Sequence, residues 1–533
     1  MATTKGSGGD HAGAHFDQND DSVVVVIGSG AGGGTVAYEL ATRGVRCVLL
    51  EAGPYLTADD YVNDEWAAFS QMAWLDLRTT SGSWRVARDF PNLPAWIVKA
   101  VGGSTTHWSG ATPRFMAHEF KARTTYGDID GATLLDWPIG LDDLAPYYDK
   151  AEIAIGSTHR HGRPPQPAGN NYFVFANGAE RVGYRYYATG PYGTNAEPYD
   201  GRPASIQDGF NFQGDKNRSK WSTRVREVPR AVASGNCDLR PNSQAVRITH
   251  DPAGRVDGVE YVDADGNLHK QAARVVCLAG NSIESPRLLL MSASSLHPDG
   301  LANSSGQVGR NYLRHMTGSA YATFERPVRM YRGETMAGII ADEARHDTSR
   351  GFAGGYYLET LSLGPAFLAS FIEPGEWGRS FTAKLDAYLN TAGLWIVGED
   401  MPQASNRVTL SAEKDALGLP APNVHFDDHP NDVAMRGHGY AAADAIYGAV
   451  GALTVHHTPP YPSTHNLGTC RMSERPEDGV VDGWGRAHDV ANLFVSDGSV
   501  MTTGGAANPT LTIVALAIRQ AEYIAAELAA GRL

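Results

Sequence analysis

A run of β-branched residues that leads directly into a run of glycines constrains the fold of this chain more than any other feature. Residues 23–27 read V-V-V-V-I, which predicts a strand buried on both faces, as in the middle of a parallel sheet. Gly28, Gly30 and Gly33 follow in the order G-x-G-x-x-G, and a helix is expected over residues 35–43. The pattern predicts the first half of a β–α–β unit.

The unit is completed by a second apolar strand over residues 45–50, which ends at Glu51. A β–α–β unit of about thirty residues is what a dinucleotide-binding fold requires. Its glycines permit a tight turn and bring backbone N–H groups close to a pyrophosphate, and the terminal acid accepts hydrogen bonds from a ribose hydroxyl. The motif predicts dinucleotide binding and leaves FAD and NAD as alternatives.

Length, charge and cysteine content limit the remaining function classes. The 533 residues suffice for two joined domains. The net charge of −14 is unfavourable for binding the negatively charged backbone of a nucleic acid, so no such partner is predicted. The 4 cysteines are far apart with no C-x-x-C, so no metal site and no iron–sulfur cluster are predicted. Residues 1–21 lack the apolar core of a signal peptide, and no transmembrane segment is predicted. We therefore expect a soluble or cytoplasmic protein, with export beside a signal-bearing partner subunit left open.

Pieces of the same nucleotide fold recur in the middle and at the end of the chain. Apolar strands over 275–279 and 493–496 each lead into a glycine-containing loop and a helix, the last helix covering 510–528. The sequence predicts an α/β protein with a discontinuous FAD-binding Rossmann-type domain and an inserted α+β substrate domain built on a β-sheet. The predicted parts are a flexible tail 1–21, an FAD-binding domain 22–310 that includes part of the substrate-domain insertions, a substrate domain 311–459, and a C-terminal return 460–533 carrying the catalytic pair.

A second glycine loop lies at Gly102 and Gly103, followed by Thr106, His107 and Trp108. A glycine pair followed by hydroxyl groups suits a backbone that lies against a flat ring and its phosphates. Taken alone, the same stretch is more typical of an ordinary loop.

The order of these motifs, followed by a late H-x-x-G-T and N-P-T-L-T, resembles the glucose–methanol–choline (GMC) oxidoreductase family over residues 23–528. The segments 106–108 and 111–115 are similar to those of pyranose oxidases, and sugar and gluconate dehydrogenase large subunits share parts of them. The resemblance implies FAD as cofactor. Some pyranose oxidases link FAD covalently through the histidine that His107 matches, so both a covalent and a non-covalent flavin stay open.

The resemblance also assigns a catalytic pair. His465, in S-T-H-N-L-G-T, matches the family's base or hydrogen-bonding histidine, and a neutral imidazole is the natural group to take a hydroxyl proton near neutral pH. Asn508 matches the partner position, with a helix N-cap as its alternative role. Pro509 and Thr510 begin a helix whose positive end can stabilise charge on a reduced flavin. Asp497 and Val246 complete the predicted cofactor contacts.

Several cytochrome-linked sugar dehydrogenases of this family carry a cysteine cluster in the middle of the chain, which binds iron–sulfur and passes electrons onward. The nearest stretch here, residues 205–216, contains no cysteine. The electron acceptor is therefore expected to be oxygen, a quinone or a redox partner protein. The expected substrate is a sugar, glycoside or polyol, with a non-carbohydrate alcohol such as an aromatic one as the alternative. Three rival classes remain, namely an NAD(P)-dependent dehydrogenase, a flavoprotein without catalysis and an FAD-dependent lyase.

Overall fold

The computed structural model describes residues 13–69, 77–83, 97–209, 211–372, 376–461 and 463–533. Within these ranges the helices are α1 Ala31–Ala41, α2 Glu65–Phe69, α3 Ala122–Tyr126, α4 Leu141–Ile155, α5 Asn170–Arg181, α6 Glu227–Ala233, α7 Asn281–Met291, α8 Pro365–Ile372, α9 Arg379–Asp386, α10 Pro430–Ala449 and α11 Thr510–Ala529. The strands are β1 Val24–Ile27, β2 Cys47–Leu50, β3 Thr80–Gly82, β4 Tyr187–Thr189, β5 Cys237–Arg240, β6 Gln244–His250, β7 Val256–Val262, β8 Leu268–Ala272, β9 Val275–Leu278, β10 Met316–Thr323, β11 Gly338–Ile340, β12 Tyr356–Thr360, β13 Thr391–Gly398, β14 Arg407–Lys414, β15 Pro420–Phe426, β16 Thr454–His457 and β17 Leu493–Val495. None of the helices so described combines the length and apolar character needed to cross a membrane.

The first sheet is parallel and is assembled from strands that are far apart in the sequence. Its order is β17-β9-β1-β2-β5, and every neighbouring pair runs parallel. β1, β2 and β9 are buried along their whole length, which accounts for their continuous apolar sequences. The predicted Rossmann-type α/β class is confirmed.

Three helices begin shortly after strands of this sheet end. α1 follows β1 and α7 follows β9, while α11 is reached from β17 through residues 496–509. Because the strands are parallel, the three helix N-termini gather at the carboxyl edge of the sheet, where ligands of doubly wound folds bind.

The second sheet is antiparallel, with the order β16-β10-β13-β12-β11-β4. Its side chains alternate between two faces, as the period of a strand requires. Ala320 and Leu394 belong to the core shared with α5 and α10, whereas Tyr321 and Trp395 face a cavity on the other side. β4 comes from the segment before residue 311, so this sheet draws on both parts of the chain.

Two smaller three-stranded sheets complete the described fold. β6 and β7 form a hairpin around residues 251–254, and β8 extends it. β15 lies in the middle of the other sheet and pairs with β14 on one side and with β3 on the other. Arg287 of α7 donates to Pro420 O at 2.8 Å, which ties this last sheet to the nucleotide fold.

Residues 13–21 pack against the parallel sheet and do not form part of a flexible tail. Phe16 is buried, its N–H donates to Asp238 Oδ2 at 3.0 Å, and its carbonyl oxygen accepts from Arg240 at 2.9 Å. The sequence did not predict this contact, because it depends on one aromatic side chain and two backbone groups within a polar segment. The remainder of the predicted tail, 1–12, lies outside the described residues.

Candidate active site

A long cavity lies between the carboxyl edge of the parallel sheet and the cavity-facing side of the antiparallel sheet. It encloses about 2200 Å³, counting its opening to solvent. Most of the residues singled out in the sequence line it, namely Gly28, Gly30, Glu51, Gly103, His107, Trp108, His465, Asp497, Asn508, Pro509 and Thr510.

Four other predicted contacts lie beside the wall of the cavity and not in it. Gly33 and Gly102 act through packing, since an added Cβ would lie 2.0 Å from Gly28 O at the first and 2.7 Å from Arg224 Cβ at the second. Thr106 contributes by holding a neighbouring ring. Val246 lies directly after Gln244 and Ala245, which line the cavity, and its contact with the cofactor stays a prediction. An irregularity in the β6–β7 pairing between Ala245 and Arg247, which the sequence pattern does not reveal, falls at this residue.

The two glycine loops approach each other backbone to backbone. Gly28 has φ +94°, and a Cβ there would lie 2.4 Å from Ala279 O. A Cβ at Gly103 would lie 2.9 Å from Gly30 Cα. Gly30 itself, at the N-cap of α1, has no atom closer than 3.9 Å to its added Cβ. The bare backbone beside the N-terminus of α1 therefore suits a diphosphate group.

Glu51 fixes the shape of the first glycine loop. Its Oε2 accepts hydrogen bonds from Ser29 N–H at 3.0 Å and Ser29 Oγ at 2.6 Å, and Oε1 accepts from Gly53 N–H at 3.0 Å. Ser29 Oγ in turn accepts from Gly102 N–H at 2.9 Å, which joins the two glycine loops. Burial raises the pKa of Glu51, and these hydrogen bonds oppose that shift. A carboxylate has about four lone-pair directions, so one remains on Oε1 for a hydroxyl in the cavity.

His107 presents a buried, neutral ring to the cavity. Its Nδ1 lies 2.7 Å from Thr106 Oγ1, and its ring makes an edge contact with Tyr61. Burial, together with the nearby Lys220 cation, lowers the pKa of His107 to about 3. Trp108 is anchored by its Nε1–H, which donates to Trp221 O at 2.9 Å. The structure thus fixes the positions of both side chains along the wall.

Asp497 organises the loop after β17. Its Oδ2 accepts from Asn281 N–H at 2.9 Å and from Ser285 Oγ at 2.6 Å, and its Oδ1 accepts from Ser499 N–H at 2.8 Å. Burial raises the pKa of this carboxyl group. Asp497 therefore links the N-terminus of α7 to the third loop of the cavity.

Asn508 does not cap α11, since Pro509 occupies the N-cap position and no side chain bonds there. Its Nδ2 lies 3.5 Å from Glu359 Oε2, a side chain of β12. Burial raises the pKa of Glu359 to about 8, so this carboxyl group is protonated at neutral pH. Asn508 Oδ1 is buried without a hydrogen-bond partner among the described residues.

His465 contacts a second histidine that is far away in the sequence. Its Nδ1 lies 3.0 Å from His315 Nδ1, and the two rings meet edge to face with centroids 5.0 Å apart. Trp395 makes a further edge contact with His465. Burial and the neighbouring His315 hold the pKa of His465 well below its ordinary value, so the ring is neutral near pH 7.

Sequence reasoning missed His315, Glu359 and Trp395 as parts of this site. Trp395 and Glu359 face each other across β12 and β13, while His315 immediately precedes β10. His315 and Trp395 contact His465, and Glu359 contacts Asn508, in each case from a distant part of the sequence. Their flanking residues form no recognisable motif.

The residues of the cavity fit an FAD molecule. Two glycine loops and the N-termini of α1, α7 and α11 meet there, which suits a diphosphate and a ring that gains negative charge on reduction. Glu51 offers a buried acceptor for a ribose hydroxyl.

Comparison with known protein families agrees with this arrangement. Two family models described as GMC oxidoreductase match residues 90–317 and 402–517, and a third, described as an NAD(P)-binding Rossmann-like domain, matches residues 26–75.

Curated relatives align over almost the whole chain. The chain is 36% identical to a 2-methyl-1,2-propanediol dehydrogenase of Mycolicibacterium austroafricanum, over 95% of each chain. It is 28% identical to a fructose dehydrogenase large subunit of Gluconobacter japonicus, over 95% of this chain and 98% of the relative. It is 29% identical to a paromamine 6'-oxidase of Streptomyces fradiae, over 97% and 94%. A crystal structure of pyridoxine 4-oxidase from Mesorbium loti is 19% identical with a TM-score of 0.64, covers 94% of this chain and 98% of that one, and shows the shared fold.

Proposed function

This chain belongs to the GMC oxidoreductase family, and on that premise we propose that it oxidises an alcohol group of a small molecule to a carbonyl, with FAD as hydride acceptor and His465 as base. The family and the FAD-binding architecture agree with the resemblance found in the sequence. The observation that carries the proposal is the neutral ring of His465 in the cavity that also contains the glycine loops.

The loops around Gly30 and Gly103, together with Glu51 and the N-terminus of α11, would hold the cofactor. When bound, FAD supplies an acceptor for a hydride and gains negative charge on reduction. The chain's own groups orient it, since backbone N–H groups at the helix N-termini favour a diphosphate and a reduced ring.

His465 takes the hydroxyl proton of the substrate while a hydride leaves the carbon that bears this hydroxyl group. In this step the substrate becomes a carbonyl compound, His465 becomes protonated and FAD would accept the hydride, so protons and electrons balance. A neutral imidazole can accept a proton in this way, and burial together with His315 keeps the pKa of His465 low enough for the ring to be neutral.

Asn508 orients the substrate oxygen. Its amide group lies in the same wall as His465 and is held from behind by Glu359. An amide N–H aimed at the hydroxyl oxygen would fix the alcohol for proton transfer, as a positioned hydrogen-bond donor does.

The wall near His465 favours an alcohol with an apolar body. Aromatic and aliphatic side chains dominate that end of the cavity, namely Phe212, Tyr321, Met336, Leu361, Leu363, Phe367, Trp395 and Tyr461. A sugar ring needs several hydrogen-bonding partners, whereas a small branched diol or an aromatic alcohol needs few. We therefore place non-carbohydrate alcohols and short apolar polyols ahead of sugars and glycosides. The name of the 2-methyl-1,2-propanediol dehydrogenase relative points the same way.

Covalent attachment of FAD through His107 is part of the proposal. Thr106 Oγ1 donates to Gly103 O at 2.8 Å, so the shared proton between Thr106 and His107 belongs to His107 Nδ1. This tautomer leaves the lone pair on Nε2 free to bond to a methyl carbon of the flavin. The new bond would replace a C–H bond, with the proton released to solvent and the two electrons reducing the flavin, which the electron acceptor would then reoxidise. The acceptor of the electrons is oxygen, a quinone or a redox partner protein.

Anaerobic flavin bleaching tests the proposed reaction. The purified protein is mixed without oxygen with short branched diols, aromatic alcohols, polyols and sugars, and the flavin absorbance is followed. We expect bleaching by the diols or aromatic alcohols, and admission of air or of a quinone then identifies the acceptor. A flavin that stays oxidised while an alcohol is consumed would mean a lyase, and bleaching by sugars alone would overturn the preference for an apolar substrate.

A further inference from the structure

His315 is a buried histidine whose two ring nitrogens both have identified partners. It is 1% exposed, its Nε2 lies 3.0 Å from Gly504 O, and its Nδ1 lies 3.0 Å from His465 Nδ1. Gly504 lies four residues before Asn508 in the same loop. His315 therefore connects the two elements that carry the proposed catalytic pair.

The chemistry of these partners determines where each proton lies. A backbone carbonyl oxygen only accepts hydrogen bonds, so His315 Nε2 carries a proton. A neutral imidazole has a single N–H, and the burial of His315 lowers its pKa to about 4. His315 Nδ1 is then a lone pair and accepts from His465 Nδ1–H. The only arrangement that satisfies both contacts leaves His465 Nε2 unprotonated.

We propose that His315 is a positioning residue that fixes His465 in the tautomer with an unprotonated Nε2. This inference rests on the proposed function of His465. His315 is not among the residues that line the cavity, and it acts only by accepting a hydrogen bond from His465 Nδ1–H. The opposite tautomer would present an N–H to the substrate hydroxyl and could not accept its proton.

The backbone around His315 is held in an unusual conformation that places the ring. His315 has φ +60°, a left-handed conformation that is unfavourable for a non-glycine residue. The buried Asp400 accepts from Arg314 N–H at 2.7 Å and also from the backbone of His315. These hydrogen bonds to Asp400 hold His315 in its left-handed conformation, and they thereby fix the position of its ring.

The direct test is histidine tautomer measurement by NMR on selectively ¹⁵N-histidine-labelled full-length protein, with and without FAD. The His465→Ala and His315→Asn variants assign the two rings. We expect the proton on Nδ1 in His465 and on Nε2 in His315. A proton on His465 Nε2 in the wild-type protein would overturn the proposal, whatever the catalytic rates.

Two variants and one control link the tautomer to catalysis. In His315→Leu no acceptor remains for His465 Nδ1–H, and we expect flavin reduction to slow by about 10–10²-fold, as for other groups that orient a reactive histidine. His315→Asn, whose side chain tolerates a positive φ and offers Oδ1 as an acceptor, should recover most of the rate and the tautomer. His429→Leu removes another buried histidine that bonds a carbonyl, Asp130 O at 2.8 Å, and should leave the rate unchanged.

The outcomes separate this inference from the proposed function. A slow His465→Ala enzyme beside a His315→Leu enzyme of normal rate and unaltered tautomer would reject only the role of His315. A His465→Ala enzyme of normal rate would reject the base itself. Equal losses in His315→Leu, His315→Asn and His429→Leu would indicate a general structural effect and would also overturn the positioning role.

Discussion

Replacing Glu51 by glutamine tests how the first glycine loop binds the cofactor. In the wild-type protein three donors, Ser29 N–H, Ser29 Oγ–H and Gly53 N–H, point at the two carboxylate oxygens. A glutamine has only one carbonyl oxygen, so its NH₂ group must face Ser29 N–H or Gly53 N–H. One buried backbone N–H then faces the NH₂ group of the glutamine and loses its acceptor. This loss destabilises the folded loop by about 1–3 kcal/mol.

That cost should appear in FAD affinity as well as in folding stability, because Ser29 also holds the second glycine loop through Gly102. We expect the Kd for FAD to rise about 10–10²-fold, since each tenfold change corresponds to about 1.4 kcal/mol. Titration is carried out on FAD-free protein that carries His107→Ala, with and without Glu51→Gln, so that no covalent bond forms, and flavin fluorescence then measures this Kd directly. The FAD-dependent increase in Tm should shrink in parallel.

A matched control distinguishes loss of the loop from general destabilisation. Asp238→Asn alters another buried carboxylate of the parallel sheet, one that accepts from Phe16 N–H at 3.0 Å and from Arg240 at 2.7 Å. This variant should lower Tm and leave the Kd for FAD unchanged. An unchanged Kd in Glu51→Gln would refute the role assigned to Glu51.

Further predictions concern packing, attachment and pH. Gly32→Ala should abolish soluble, FAD-loaded protein, because its Cβ would lie 1.5 Å from Ser496 O. If FAD is covalently bound to His107, acid-precipitated wild-type protein should stay yellow, whereas His107→Ala should release its flavin. A colourless wild-type pellet would exclude the covalent bond. Flavin reduction should slow above about pH 8, where Glu359 ionises and draws the Asn508 amide N–H toward itself, and Glu359→Gln should remove this decline. The pKa of His315 is about 4 in the folded protein and near 6.5 unfolded, so its contribution to unfolding free energy is complete above pH 6.5 and falls as pH drops toward 4. The stability advantage of wild type over His315→Asn, measured by urea unfolding, should therefore narrow by up to about 1.4 kcal/mol per pH unit across that window.

The parts of the fold that depend on local pattern could be predicted from the sequence. β1, α1 and β2 follow from a valine run, three glycines and a terminal acid, and their place in a parallel sheet follows from burial on both faces. The same argument predicted β9 and β17 in the core of the fold. These signals are local, since each needs only the residues of one strand and one loop.

Contacts between distant segments could not be predicted in this way. Nothing near His315 in the sequence indicates that its ring reaches His465, 150 residues further on. Phe16 shows the same limit, since a polar tail gives no sign that one aromatic residue packs on β5.

The most direct test of the account is the anaerobic rate of flavin reduction in His465→Ala, measured by stopped flow with the best alcohol substrate, beside wild type and the His429→Ala control. The account predicts that the variant retains FAD and is reduced about 10²–10⁴-fold more slowly, the usual contribution of a general base, while the control matches wild type. A His465→Ala enzyme that is reduced at nearly the wild-type rate would contradict the assignment of His465 as the base.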